Sequence, residues 1–260
     1  MSSNSIEVKN LKIGYIQGKK HEVILKNISF HLTKGNLVSI IGANGTGKST
    51  LLRTLAHQQP KLSGTVEIEN TLLENFSINQ WAKQVSWVHT ETIIPSSLSV
   101  YELVSLGRQP YTNWLDKLKT TDSIEIEKAL QLTDLADLKQ KKCNTLSDGQ
   151  LQRVFIARAI AQNTPIIFLD EPTTHLDLHH KVETLTLLKR LCKEYNKTIV
   201  FSSHEIELSL QVCDQVLSIS QKKVALHTPK GLIETNLLNE LFQDSKVHFD
   251  KTLGKFLFKE

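Results

Sequence analysis

The sequence predicts an α/β fold: a parallel sheet buried on both faces, antiparallel strands ahead of it, and helices inserted into it. Three observations carry this expectation. Short, nearly continuous apolar runs ("LVSII", "IIFLD", "TIVFSS", "VLSIS") have strand length and mostly alternate with helical segments, the pattern of strands covered on both sides. The opening stretch "IEVKNLKIGY" instead alternates, which predicts strands with one buried face. Between Glu91 and Gln162 the texture turns predominantly helical.

Taken in order, Ile6, Val8, Leu11 and Ile13 mark a buried face interrupted by a turn or bulge, and "EVILKNISFHL" continues in the same style. "LVSII" runs into a glycine loop and then into the helix-like "STLLRTLAH". "VYELVSLGRQ" and "IEIEKALQLTDLADL" have helical spacing, and "GQLQRVFIARAIAQ" sets Leu151, Val154 and Phe155 on one stripe. The tail "VHFDKTLGKFLFK" predicts a β-hairpin turning near Gly254. The expected organisation is a single domain: residues 1–90 and 163–260 form the core with a β subdomain and the hairpin, and residues 91–162 form a helical subdomain. No internal repeat or low-complexity linker interrupts it.

At 260 residues, 40% hydrophobic and 22% charged, the chain can build a proper core. Its net charge of +4 is mild and its lysines are scattered, so no nucleic-acid partner is expected. Cys143, Cys192 and Cys213 are far apart and odd in number, which fits neither a disulfide framework nor a metal site and suits a reducing cytosol. "MSSNSIEVKN" lacks the basic end and apolar stretch of a secretory signal. No run approaches the roughly 18 apolar residues of a spanning helix, so the chain is not expected to cross a membrane.

Gly42 to Ser49 fits G-x-x-x-x-G-K-[ST] between a strand-like and a helix-like segment. Such a loop converges backbone N–H groups on phosphate oxygens, and Gly42, Gly45 and Gly47 permit the close approach. The helix starting near Lys48 turns its partial positive end to the same anion. Lys48 is expected to reach the β and γ phosphates of ATP, Ser49 to ligate Mg²⁺, and Thr50 to assist a more distal phosphate. Asn44 and Thr46 complete the binding loop. A second element, "IIFLDEP", ends a strand in Asp170, suited to orienting Mg²⁺, and Glu171, suited to accepting a proton from an attacking water.

With these residues in view, the chain resembles the nucleotide-binding subunit of an ATP-binding cassette (ABC) transporter over nearly its whole length. "GANGTGKST" resembles the Walker A loop, "LSDGQ" the LSGGQ signature, "IIFLDE" the Walker B strand, "THLD" the D-loop, and "FSSHE" carries the switch histidine. The resemblance implies a P-loop NTPase core in which His204 touches the γ phosphate and holds the water with Glu171. Tyr15 resembles the aromatic that stacks on adenine, with a buried core tyrosine as the rival reading. Ser147, Gly149 and Gln150 open a helix, again an anion receptor. In the family this receptor faces the nucleotide of a second subunit, so two copies sandwich two ATP molecules and Asp177 communicates between the sites.

Two departures stand out. Asp148 replaces the first signature glycine and is expected to point away from phosphate. The glutamine that the family places after "VSWVH" is missing: ungapped spacing puts Thr90 there, with Glu91 adjacent as a source of an oxygen for Mg²⁺. "SVYELVSLGRQPYTNWLDKL" resembles the corresponding segment of importers for iron–siderophore, haem and cobalamin complexes. The resemblance implies integral membrane permease subunits as partners, a substrate-binding protein engaged indirectly, and a peripheral place on the cytoplasmic face of the membrane. The alternative is a soluble ABC ATPase of a non-transport machine, such as iron–sulfur cluster assembly, against which the segment from Val100 to Trp114 argues.

Overall fold

The computed structural model describes residues 4–18, 20–89, 97–112, 117–174, 176–241 and 246–259. The chain divides into two compact units: residues 1–75 with 192–260, and residues 76–191. The segment 91–162, expected as a helical subdomain, lies within the second.

The first unit opens with β1 (Asn4–Gln17) and β2 (Lys20–Thr33), paired antiparallel. After β3 (Leu37–Gly42) and α1 (Lys48–Leu55), the strands β4 (Ser63–Ile68) and β5 (Thr71–Leu72) extend this sheet in the order β2-β1-β4-β5. Its buried face carries Ile6, Val8, Leu11 and Ile13, as the alternation predicts. The slip between Val8 and Leu11 is a register shift at Asn10, whose φ is +49°. Asparagine tolerates this left-handed conformation, and one extra residue there returns Leu11 to the core side.

The second unit contains α2 (Ile78–Gln84), β6 (Val85–Val88), α3 (Val100–Ser105), α4 (Thr120–Leu132), α5 (Asp148–Ala161), β7 (Ile166–Leu169) and the start of α6 (Leu178–Tyr195). β6 and β7 run parallel, and all their residues are buried. The structure departs from the expected helices in three places, the first being "IEIEKALQLTDLADL", which is α-helical only to Leu132 and ends in a separate 3₁₀ turn, Ala136–Leu138. "VYELVSLGRQ" is α-helical only to Ser105 and then tightens into a 3₁₀ turn, Leu106–Tyr111. A Cβ on Gly107 would stand 2.3 Å from the Arg158 carbonyl oxygen, so α5 passes too close for a side chain there. The second half of α5 is also buried on more than one stripe, through Val154, Phe155, Ile156, Ala157, Ala159, Ile160 and Ala161.

Back in the first unit, β8 (Thr198–Ser202) and, after α7 (Ile206–Val212), β9 (Gln215–Ser220) flank β3 in parallel. β10 (Lys223–His227) returns antiparallel on β9. β3 and β8 are buried at every position, which is why they read as continuous apolar runs rather than alternating ones. The chain closes with α8 (Pro229–Glu234), α9 (Leu237–Glu240) and a hairpin of β11 (Val247–Asp250) and β12 (Lys255–Phe258). Gly254 turns this hairpin at φ +66°, its N–H donating to the Asp250 carbonyl at 2.8 Å.

Candidate functional site

In the first unit the glycine loop leaves the C-terminal end of β3 and enters α1, where parallel strands present loops to ligands. Gly45 and Gly47 have φ of +75° and +102°, conformations that side-chain-bearing residues adopt at a cost. A Cβ on Gly47 would also stand 2.7 Å from Ile24 Cγ2, and one on Gly42 2.8 Å from the Ile219 carbonyl oxygen. Asn44 is exposed, and the Thr46 hydroxyl donates to the Ala43 carbonyl at 2.8 Å. Gly47, the N-cap of α1, makes no side-chain cap bond and no acid sits in the first turn, so the partial positive end of the helix is not offset by an acid of its own.

Lys48 is buried, and its ammonium donates to the carbonyl oxygens of Gly42 at 2.9 Å and Ala43 at 3.2 Å. A fixed positive charge thus sits within the loop. Ser49 is half-buried and Thr50 buried. Tyr15, near the end of β1, is 43% exposed, which rules out a core tyrosine. Its hydroxyl lies 3.1 Å from that of Thr50. His204 is exposed just past β8, where Ser203 N–H donates to the Ile40 carbonyl of β3 at 3.0 Å.

In the second unit Asp170 directly follows β7; its N–H extends the ladder to the Val88 carbonyl at 3.1 Å and its side chain is buried. Glu171 follows with φ +48°, an uncommon conformation for such a residue and a form of strain that clusters at functional sites. Its Oε2 accepts from the Thr174 hydroxyl at 3.1 Å. Ser147 caps α5: its Oγ accepts from Gln150 N–H at 3.3 Å, while Gln150 Oε1 accepts from Ser147 N–H at 3.2 Å. Asp148 is exposed in the first turn and Gly149 is half-buried, so the carboxylate favours the helix dipole.

Asp177 opens α6. Its Oδ1 accepts both the backbone N–H of His180 and the His180 ring at Nδ1, each at 2.9 Å. These bonds from the backbone and then the ring hold the Asp177 carboxyl below the usual carboxylate range. His180 is absent from the sequence reading. The signal that would have found it is an aspartate three residues ahead of a polar side chain at a helix start. Thr90 and Glu91, the two candidates for the missing glutamine, lie outside the described residues.

The ABC transporter family model matches residues 25–174. A petrobactin import ATP-binding protein of Bacillus subtilis is 37% identical over 91% of this chain and 92% of its own length. The iron(3+)-hydroxamate import ATP-binding protein of the same organism is 34% identical over 97% of this chain and 93% of its own. Among solved structures, a dimeric post-hydrolysis state of an ATP-binding cassette bound to ADP and Pi aligns with a TM-score of 0.75. It is 28% identical and covers 87% of this chain and 99% of its own.

Proposed function

The chain belongs to the ABC transporter family and is an ATPase, and from that premise we propose that it powers an importer for an iron–siderophore, haem or cobalamin-type complex. The observation that carries the reading is the loop from Gly42 to Thr50, with its left-handed glycines, buried lysine and a helix start that carries no acid in its first turn. In this reading the loop grips the phosphates of ATP, Lys48 meets the β and γ groups, and Tyr15 stacks on the base. The names of the relatives supply the cargo class.

Ser49 and Asp170 would hold Mg²⁺, with an oxygen from Glu91 or Thr90. Hydroxyl and carboxylate oxygens are hard donors of the kind Mg²⁺ takes beside phosphate oxygens. Among the described residues no group of three His, Cys, Asp or Glu suits a metal. When bound, the cation neutralises phosphate charge. Glu171 accepts the proton of the attacking water, and His204 fixes that water against the γ phosphate.

A second copy contributes Ser147, Gly149 and Gln150 to each nucleotide, and Asp177 links the two sites. Among the described residues no helix is long and apolar enough to cross a membrane. The place proposed from the family resemblance is the cytoplasmic face, against permease subunits that the segment from Thr92 to Val100 meets and through which a substrate-binding protein acts. Co-purification with integral membrane subunits, followed by reconstitution in vesicles, tests this. ATP turnover should rise when the cargo-loaded binding protein is supplied. Association with soluble partners alone would overturn the importer reading while leaving the ATPase intact.

A further inference from the structure

Around Asp177 the described residues place a histidine between two elements that the proposed sandwich turns toward a second copy. Both the backbone N–H and the ring Nδ1 of His180 converge on a single Asp177 oxygen, Oδ1, at 2.9 Å. An ionised carboxylate only accepts, so Nδ1 carries the proton. The other oxygen, Oδ2, has no hydrogen-bond partner among the described residues, and the side chain is 65% exposed. The opposite side of the imidazole faces Gly149 of the signature helix across about the width of a methyl: a Cβ on Gly149 would stand 3.4 Å from His180 Cδ2, and 3.6 Å from Leu176 Cδ2. The neighbouring His179 is engaged with Glu183 at 3.1 Å and does not compete for Asp177.

We propose that His180 is a positioning residue, whose ring ties the Asp177 carboxylate to the start of α5 so that both meet a second copy as one preset surface. The inference rests on the sandwich reading above. It assigns His180 a directional task, since only a donor at the Nδ1 position aims Oδ2 outward, whereas mere packing against Gly149 would be met by any ring.

That difference sets the experiment. ATP-driven dimerisation is measured by sedimentation in a Glu171→Gln background, with bound ATP quantified on the same samples. His180→Asn keeps a donor one bond from Cγ, in the place of Nδ1, and loses the ring. His180→Phe keeps the ring and loses the donor, with His180→Leu as a second apolar substitute and thermal unfolding as the folding check. Asn should dimerise within about threefold of the parent, and Phe and Leu should lose about tenfold or more. A Phe variant that dimerises like the parent, or an Asn variant as weak as Phe, overturns the role of His180 alone. A parent that binds ATP without dimerising overturns the sandwich and this inference together.

Discussion

The Tyr15 hydroxyl lies 3.1 Å from the Thr50 hydroxyl, tying the end of β1 to the first turn of α1. The proposed base platform and the proposed phosphate grip are therefore linked within one unit. When Thr50 donates its proton to a phosphate oxygen, Tyr15 is left to donate to Thr50. Tyr15→Phe keeps the stacking ring and loses the link, so ATP affinity should fall roughly fivefold, the worth of about 1 kcal/mol. Tyr15→Ala should cost more. Calorimetric titration of Tyr15→Phe, Thr50→Val and the double variant checks the coupling. In the Thr50→Val background Tyr15→Phe should cost nothing further, and a full additive loss would dissolve the link.

Glu171 carries the chemistry in the proposed mechanism. Glu171→Gln should keep ATP binding and lower turnover roughly 10²–10⁴-fold, the range of a general base. Lys48→Ala should weaken binding as well, because it takes the buried charge out of the loop. Nucleotide affinity and steady-state phosphate release, measured on the same preparations, separate the two variants. Ordinary turnover in Glu171→Gln would move the base to another residue.

A head-to-tail sandwich makes a further demand. Lys48→Ala and Ser147→Ala should each be inactive alone, yet a mixture should recover part of the activity. Each heterodimer then holds one doubly damaged site and one intact site. Ser147 also caps α5, so its loss should cost about 1 kcal/mol of stability. Thermal unfolding must therefore show both variants folded. Heterodimers that form and remain inactive would sink the shared-site arrangement.

The parallel core was legible because complete burial leaves no exposed positions to alternate with the apolar ones, as β3 and β8 illustrate. The face of β1 was legible too, down to the interruption at Asn10. Features fixed by contacts distant in sequence were not. The 3₁₀ turn after Ser105 depends on Gly107 against Arg158, and the burial of α5 beyond one stripe depends on neighbours that periodicity does not name. For the candidate site, spacing revealed the residue types but not their partners. The bond between Tyr15 and Thr50 and the approach of His180 to Gly149 each bring separate motifs together.

One such long-range contact predicts an acid response. Arg108 and Asp122 are 6% and 1% exposed, with Nε and Nη2 donating to Asp122 Oδ1 at 3.0 and 2.9 Å. Arg108 Nη1 also donates to the Ala161 carbonyl at 2.8 Å, and its guanidinium lies 4.0 Å from the Tyr111 ring centre. Asp122→Asn would leave the buried guanidinium without its counter-charge and should cost about 3–5 kcal/mol. Replacing both partners, Arg108→Met with Asp122→Leu, should recover most of that. Burial alone would raise the Asp122 carboxyl, but the Lys119 N–H and then Arg108 outweigh it and hold it below its ordinary value. A depressed folded value gives stability that is complete above the unfolded carboxylate value of about 3.9 and is lost as pH falls through the lower folded one. Near neutral pH this pair therefore confers no pH dependence. Urea unfolding from pH 7 to pH 3 should show wild type losing stability below about pH 4 more steeply than the double replacement. Equal slopes would mean that the Asp122 carboxyl binds its proton equally well folded and unfolded, or that the unfolded chain keeps the pair together.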